Sequence, residues 1–228
     1  IGREIALRLA RDGADMVVHY ASSREGAEQT AADIEAMGRK AWLVSADIAR
    51  REEVVAMFGV IDAEVGRLDI AVNNSGVSVA GSLAGVTDEQ ISDGLGINLL
   101  GPLHVASEAA KRIGEGGRII NLGSTAWHLA VPNLLLYETA KAGIEGLTRS
   151  LARDLGPLGI RAVCILPGAV ETPRQHKWYT PEQVDELLRQ VDFVTFHVPL
   201  MDATRHLINA ERLKLMKDGV VIINFARE

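Results

Sequence analysis

Apolar runs of strand length alternate with longer segments of helical period along most of the chain. ADMVVHY is followed by a charged helix over about 23–37, AWLVSAD by a helix over about 51–65, and LDIAVNN by a helix that contains Asn98. The alternation continues with RIINLG, a helix carrying Tyr137, and IRAVCILPG. Strands spaced by helices predict a mostly parallel, doubly wound α/β sheet, because each return crossover lays a helix on one of its faces. Two helix starts carry their own signal: Thr87 with Gln90, and Thr180 with Gln183, the second with Pro181 at the first helical position. In each pair the Thr side chain caps an amide and the Gln returns the bond. The last stretch predicts a strand at 192–198, a helix at 210–216 and a strand at 220–224, the final strand apolar enough to be buried.

Composition narrows the partners. With 228 residues, 47% of them hydrophobic, the chain can bury a full core and suits one large domain better than two. A formal charge of −6, with no concentrated basic stretch, argues against nucleic acid and anionic membranes. No apolar run reaches the roughly 18 residues of a membrane span, and the charged start IGREIALR is unlike a signal peptide. Cys164 is the only cysteine, which excludes an intrachain disulfide and a cysteine metal site and fits a reducing cytoplasm. A soluble, cytoplasmic protein without a metal centre is expected.

The chemistry gathers where strands end. In open parallel sheets, sites form at the carboxyl ends of the strands, and Asn73, Ser124 and Gly168 all fall at such ends. Tyr137 and Lys141 lie four residues apart in LYETAKAGIEG, with Ser124 thirteen residues before Tyr137. Residues four apart share a helix face, so the Lys141 ammonium can favour the Tyr137 phenolate and make the phenol an acid/base. The Ser124 hydroxyl could then hold a carbonyl oxygen against it. Taken alone, a Tyr and a Lys at this spacing are more often surface neighbours.

Around these residues the chain resembles the short-chain dehydrogenase/reductase family, in order, from Ile1 to about Gln190. IGREIALRLARDGA is similar to the end of that family's glycine-rich turn and its first helix, and SADI holds Asp47 and Ile48. LDIAVNNSG carries the NNAG signature as Asn73, Asn74, Ser75 and Gly76, and INLLG supplies Asn98. GRIINLGS, YETAK and ILPGAVETP bring Ser124, Tyr137, Lys141, Pro167, Gly168 and Thr172. The resemblance implies a Rossmann-like core over 1–190 and hydride transfer between a nicotinamide cofactor and a small-molecule carbonyl or secondary alcohol. Tyr137 would be the proton donor, Lys141 would lower its pKa and bind the nicotinamide ribose, Ser124 would position the substrate oxygen, and Asn98 would hold a relay water. Thr172 would meet the carboxamide, and Asn74 and Asp47 the adenosine half, with Gly2, Ile48, Gly76, Pro167 and Gly168 along the cofactor. Asn73 reads as a structural clamp. An acidic residue at the end of the second strand would select NAD. Tyr20 stands there instead, and Ser22, Ser23 and Arg24 suit a 2′-phosphate, so NADP is favoured and NAD possible. A homo-oligomer, dimer or tetramer, is expected.

Two departures qualify this. The family's TGxxxGxG survives only as Gly2, so the chain reads as truncated, without the central strand and most of the phosphate cradle, and its activity as impaired. From about Val191 the sequence instead resembles D-2-hydroxyacid dehydrogenases of the phosphoglycerate type, through HVPL, TRHLIN, LMKDG and INFAR in the last 38 residues. That likeness would carry substrate-carboxylate binding to Arg227, and a place beside nicotinamide to Pro199 and Thr204. Phe225 and Glu228 depart from the usual INTARG, and that family's GxGxxG and catalytic Glu and His have no counterpart. Residues 191–228 therefore read as a foreign βαβ scaffold packed into the same domain, its last strand joining the main sheet at the centre or beside IRAVCILPG. Three functions compete: a reductase, a non-catalytic hybrid scaffold with weak nucleotide binding, and, last, a hydroxyacid dehydrogenase.

Overall fold

The computed structural model describes residues 1–168, 170, 180–196 and 208–224. Internal contacts divide the chain into two compact units, Ile1–Ala169 and Val170–Glu228.

The first unit alternates helices and strands: α1 (Gly2–Arg11), β1 (Met16–Tyr20), α2 (Arg24–Ala36), β2 (Ala41–Ser45), α3 (Arg51–Glu64) and β3 (Ile70–Asn73). It continues with α4 (Asp88–Leu95), a π-helical turn (Gly96–Leu100), α5 (Gly101–Ala109), β4 (Arg118–Leu122), α6 (Ala126–Leu129), α7 (Leu135–Leu155) and β5 (Arg161–Ile165). All strand pairs are parallel, as in a Rossmann-like α/β fold. They form two sheets: β1 with β2, and β3–β4–β5. A groove lined by His19, Val72, Asn73 and Asn74 lies between β1 and β3.

Helix periodicity places the core. Leu7 and Ala10 of α1 pack with Ile34 of α2 beside Met16 and Val18 of β1. A larger cluster joins Val54, Phe58 and Ile61 of α3, Ala106 and Ala109 of α5, Ala71 of β3 and Ile119 of β4. Ile34 and Ile119 are fully buried, each contributing about 1.5–3 kcal/mol by removal from water. Glu108, buried on α5, accepts from Lys111 at 2.6 Å and Arg112 at 3.0 Å. Arg112 reaches Asp62 of α3 through two bonds of 2.7 Å. A buried carboxylate needs such cations, and these tie α5 to α3. Hydrogen bonding to Lys111 holds its pKa below the usual carboxylate range.

Both capping boxes form. Thr87 and Gln90 bond reciprocally at 3.2 and 3.0 Å, and Thr180 and Gln183 at 3.4 and 2.9 Å.

The second unit contains α8 (Pro181–Gln190), β6 (Phe193–Phe196), α9 (Ala210–Leu215) and β7 (Val221–Asn224). Helix α8 falls within this unit. The strand, helix and strand expected in the tail are present. The last strand, β7, pairs in parallel with β6, from Phe193↔Val221 to Phe196↔Asn224, in a two-stranded sheet. Helix α9 lies between them in sequence, as parallel neighbours require of their connection. The expected burial of β7 is not found, with Val221, Ile222 and Ile223 at 44%, 40% and 36% exposure. Alternation identifies a strand but not the number of layers covering it.

Candidate active site

Polar side chains converge at the carboxyl ends of β3, β4 and β5. Ser124 follows β4 by two residues and is buried, and its Oγ accepts the Ala126 amide at 3.1 Å as α6 begins. That use leaves the hydroxyl proton free to be donated. Tyr137 stands in the first turn of α7, and Lys141 follows one turn later on the same side. The Lys141 Nζ donates to the Leu122 carbonyl at the end of β4, at 2.7 Å, and lies 5.6 Å from the centre of the Tyr137 ring. No hydrogen bond to the Tyr137 hydroxyl is found among the described residues.

Lys141 is only 5% exposed. Burial pulls its pKa down from 10.5 to about 8, partly opposed by the charge of nearby Cys164. The expectation considered only what the lysine does to the tyrosine. The packed structure also acts on the lysine, whose positive charge is costly in a dry site.

Asn98 is wholly buried in the π-helical turn. Its Nδ2 donates to the carbonyls of Val77 and Gly94, both at 2.9 Å, and its Oδ1 accepts the Val77 amide at 3.0 Å. Both amide hydrogens are thus spent on backbone. Gly76 lies against it: a Cβ there would be 2.9 Å from Asn98 Oδ1 and 3.8 Å from Lys141 Nζ. Similarly, a Cβ on Gly2 would collide with the Asn74 side-chain amide, so the start of α1 meets the end of β3. Asn73 donates to Asn121 at 2.8 Å and Pro102 at 3.3 Å, and Asn121 donates to Thr148 at 2.8 Å. This satisfied buried chain makes Asn73 the structural clamp its reading predicted.

On the β5 side, the Pro167 carbonyl accepts the Thr125 amide at 3.1 Å, and Gly168 lies beside the Thr125 hydroxyl. Thr172, Pro199, Thr204 and Arg227 lie outside the described residues.

The other end of the row is open. Tyr20 closes β1, Ser22 and Ser23 are exposed, and Arg24 starts α2 with its guanidinium on Glu28 at 2.7 Å. Ser23 makes no capping bond to the helix it precedes. Asp47 and Ile48 occupy the turn between β2 and α3. Asp47 Oδ1 accepts the Ala49 amide at 3.0 Å, while its own amide donates to Glu53 at 2.7 Å.

Several participants are not evident from sequence spacing. Glu145, one turn beyond Lys141, accepts from Trp127 Nε1 and lies 3.4 Å from His128 Nε2. The Trp127 and His128 rings are 3.7 Å apart. The same loop holds both non-glycine residues with left-handed backbone among those described, Ala130 at φ 51° and Asn133 at φ 63°. It is tied down by Val131 N–H to Glu138 at 2.6 Å and by Gly81 N–H to Asn133 O at 3.0 Å. Continuing the Tyr137–Lys141 spacing by one more turn would have pointed to Glu145; the loop conformation has no local sequence signal.

In open α/β sheets ligands bind outside the carboxyl ends of the strands, where these polar groups gather. A family model described as enoyl-(acyl carrier protein) reductase matches residues 1–195, and the chain belongs to the short-chain dehydrogenase/reductase family of oxidoreductases. D-xylose 1-dehydrogenase of Caulobacter vibrioides is 40% identical over 184 residues, covering 80% of this chain and 72% of the relative. Trihydroxynaphthalene reductase of Colletotrichum orbiculare is 38% identical over 173 residues, or 75% and 61% of the two chains. Among solved structures, a dehydrogenase/reductase from Sinorhizobium meliloti superposes with a TM-score of 0.73 at 34% identity, over 75% of this chain and 69% of that one. A blue fluorescent protein from a metagenomic library, in complex with NADPH, gives 0.71 at 35% identity, over 75% and 71%. No described helix is long and apolar enough to cross a membrane.

Proposed function

We propose that this chain transfers hydride between a nicotinamide cofactor and a small-molecule carbonyl or secondary alcohol, with Tyr137 moving the proton. The observation that carries the reading is Lys141: a buried ammonium anchored on Leu122 O and set beside the ring of Tyr137. In carbonyl reduction the Tyr137 hydroxyl gives its proton to the substrate oxygen, and the Lys141 charge stabilises the phenolate left behind. Ser124 donates its free hydroxyl hydrogen to the same oxygen. Asn98 holds the Val77 backbone in place, and within its side chain only the Oδ1 oxygen has capacity left for a relay water.

The residues present fit a nucleotide. The Ile48 amide has no acceptor among the described residues, and the Ser124 hydroxyl hydrogen is free to be donated. Gly2, Asn74, Gly76, Pro167, Gly168 and Thr172 would line the cofactor, with Lys141 on its ribose and Asp47 and Ile48 at the base. When bound, the nicotinamide supplies or accepts the hydride. NADP is favoured, since Ser22, Ser23 and Arg24 offer donors beside Tyr20 and a relative at 35% identity is described as a complex with NADPH. Cytoplasmic location and homo-oligomeric assembly belong to the same reading, and exposed Leu100 and Leu103 support the latter. The family model ends at residue 195, so the hydroxyacid dehydrogenase likeness rests on its motifs alone, and we read 191–228 as scaffold.

Tyr137→Phe tests this reading. Carbonyl reduction should fall at least about a hundredfold with the melting temperature unchanged, because the hydroxyl makes no hydrogen bond among the described residues. Equal turnover in the variant would remove Tyr137 from the chemistry.

A further inference from the structure

The turn from β2 into α3 is held by side chains from three directions. Its amides are nearly all spent: Ala46 N–H donates to Tyr20 O at 3.3 Å, Asp47 N–H to Glu53, Ala49 N–H to Asp47 Oδ1, and Arg50 N–H to Asp47 O at 3.0 Å. The carbonyls on either side of Asp47 are taken by histidines. His19 of β1 donates from Nε2 to Ala46 O at 2.9 Å, and His104 of α5 from Nδ1 to Ile48 O at 3.1 Å. The Ile48 side chain is buried against Gly101, where a Cβ would come within 2.7 Å of it. What remains among the described residues is the Ile48 amide, the turn's single N–H without an acceptor, and on the adjacent residue an Asp47 carboxylate whose Oδ2 meets only Arg50, at 3.5 Å. Neighbouring residues thus retain one donor and one acceptor, the two kinds of group that the edge of a nucleobase bonds.

We propose that His19 and His104 are positioning residues for the nucleotide. By holding the two flanking carbonyls, they fix the direction of the Ile48 amide and the Asp47 carboxylate. This inference rests on the nucleotide-dependent function proposed above and adds two residues that no motif there includes. A carbonyl oxygen only accepts, so the geometry also sets the tautomers: the neutral His19 ring carries its hydrogen on Nε2 and the neutral His104 ring on Nδ1.

The amide side chains test it, because an asparagine N–H overlays histidine Nδ1 and a glutamine N–H overlays Nε2. His104→Leu and His19→Leu should weaken calorimetric binding of AMP, the adenosine half alone, by about tenfold. KM for NADPH should rise by a similar factor with kcat within about twofold of wild type. His104→Asn and His19→Gln should restore both to within about threefold. If a leucine variant does not fold, the exchanged pair His104→Gln and His19→Asn, which misplaces each donor, takes its place in the comparison. Leucine or exchanged variants that bind AMP like wild type, or that lose kcat with KM unmoved, would overturn the assignment. So would nitrogen-15 spectra of the wild-type rings showing hydrogen on His104 Nε2 or His19 Nδ1, a readout that needs neither nucleotide nor turnover. Wild-type protein that binds neither AMP nor NADPH would instead remove the functional reading and this inference with it.

Discussion

The two ends of the row of strand termini are built differently. At one, Asn98, Lys141 and Ser124 are 0%, 5% and 9% exposed, and each is fixed by a bond to backbone. At the other, Ser22 and Ser23 are exposed and the Arg24 side chain is 72% exposed, bonded to Glu28 on its own helix. Burial lets a group act strongly and makes it costly to place; exposure makes it cheap to place and weak. Proton chemistry needs the first arrangement, whereas a choice between two cofactors differing by one phosphate can be made with the second. Changes at the buried end should therefore alter rate by orders of magnitude, and changes at the open end should alter preference by smaller factors.

The largest effect is expected at Lys141. Lys141→Met should abolish measurable turnover, at least about a hundredfold, without lowering stability at neutral pH. With its folded pKa near 8 against 10.5, the ammonium costs the fold about 3 kcal/mol below pH 8. Removing it offsets the one to three or so kcal/mol lost when the Leu122 carbonyl is left without its donor. The sign is specific. Between pH 8 and 10.5 the unfolded chain binds more protons, so wild-type stability should gain from this group as pH rises, and the Met variant should lack that gain. Reduction itself should slow as pH climbs through about 8 and the ammonium is lost. Thermal melts and rates across this range check both statements.

A smaller effect is expected at the open end. The Arg24–Glu28 pair is solvent-exposed and therefore contributes little, so a phosphate can take the guanidinium from it. Arg24→Ala should weaken NADPH relative to NADH by roughly five- to tenfold, and Glu28→Gln should improve NADPH by a few-fold. Titration of the variants with both cofactors decides between a phosphate ligand and an ordinary helix-start charge, for which neither ratio would move.

The smallest concerns the strained loop. Ala130 carries a left-handed φ of 51°, which glycine adopts without a Cβ penalty, so Ala130→Gly should raise stability by up to about 1 kcal/mol. A lower denaturation midpoint would show that this loop conformation is not held in solution.

Much of this was legible beforehand, for local reasons. Capping boxes, strand alternation and the four-residue spacing of Tyr137 and Lys141 each depend on neighbours in sequence, and each is found where it was expected. What was not legible depends on partners far along the chain. The bond from Lys141 to Leu122 spans 19 residues, the hold of Asn98 on Val77 spans 21, and His104 reaches Ile48 across 56. No spacing rule encodes these. The last strand shows the same limit: VVIIN declares a strand by its β-branched residues, but its pairing with β6 and its exposed face follow from which backbone edge it meets. The group Ser22, Ser23 and Arg24, which we propose for a 2′-phosphate, was readable as residue types, while the engagement of Arg24 with Glu28 appears only in the helix.

The central claim, hydride transfer paired with proton transfer from Tyr137, is tested most directly by isotope tracing. The protein would be mixed with a ketone and NADPH carrying deuterium at the transferable nicotinamide position, and the alcohol product analysed by mass spectrometry. The account predicts one deuterium on the carbinol carbon of the wild-type product and almost no product from Tyr137→Phe; alcohol without deuterium, or equal labelled product from both proteins, would contradict it.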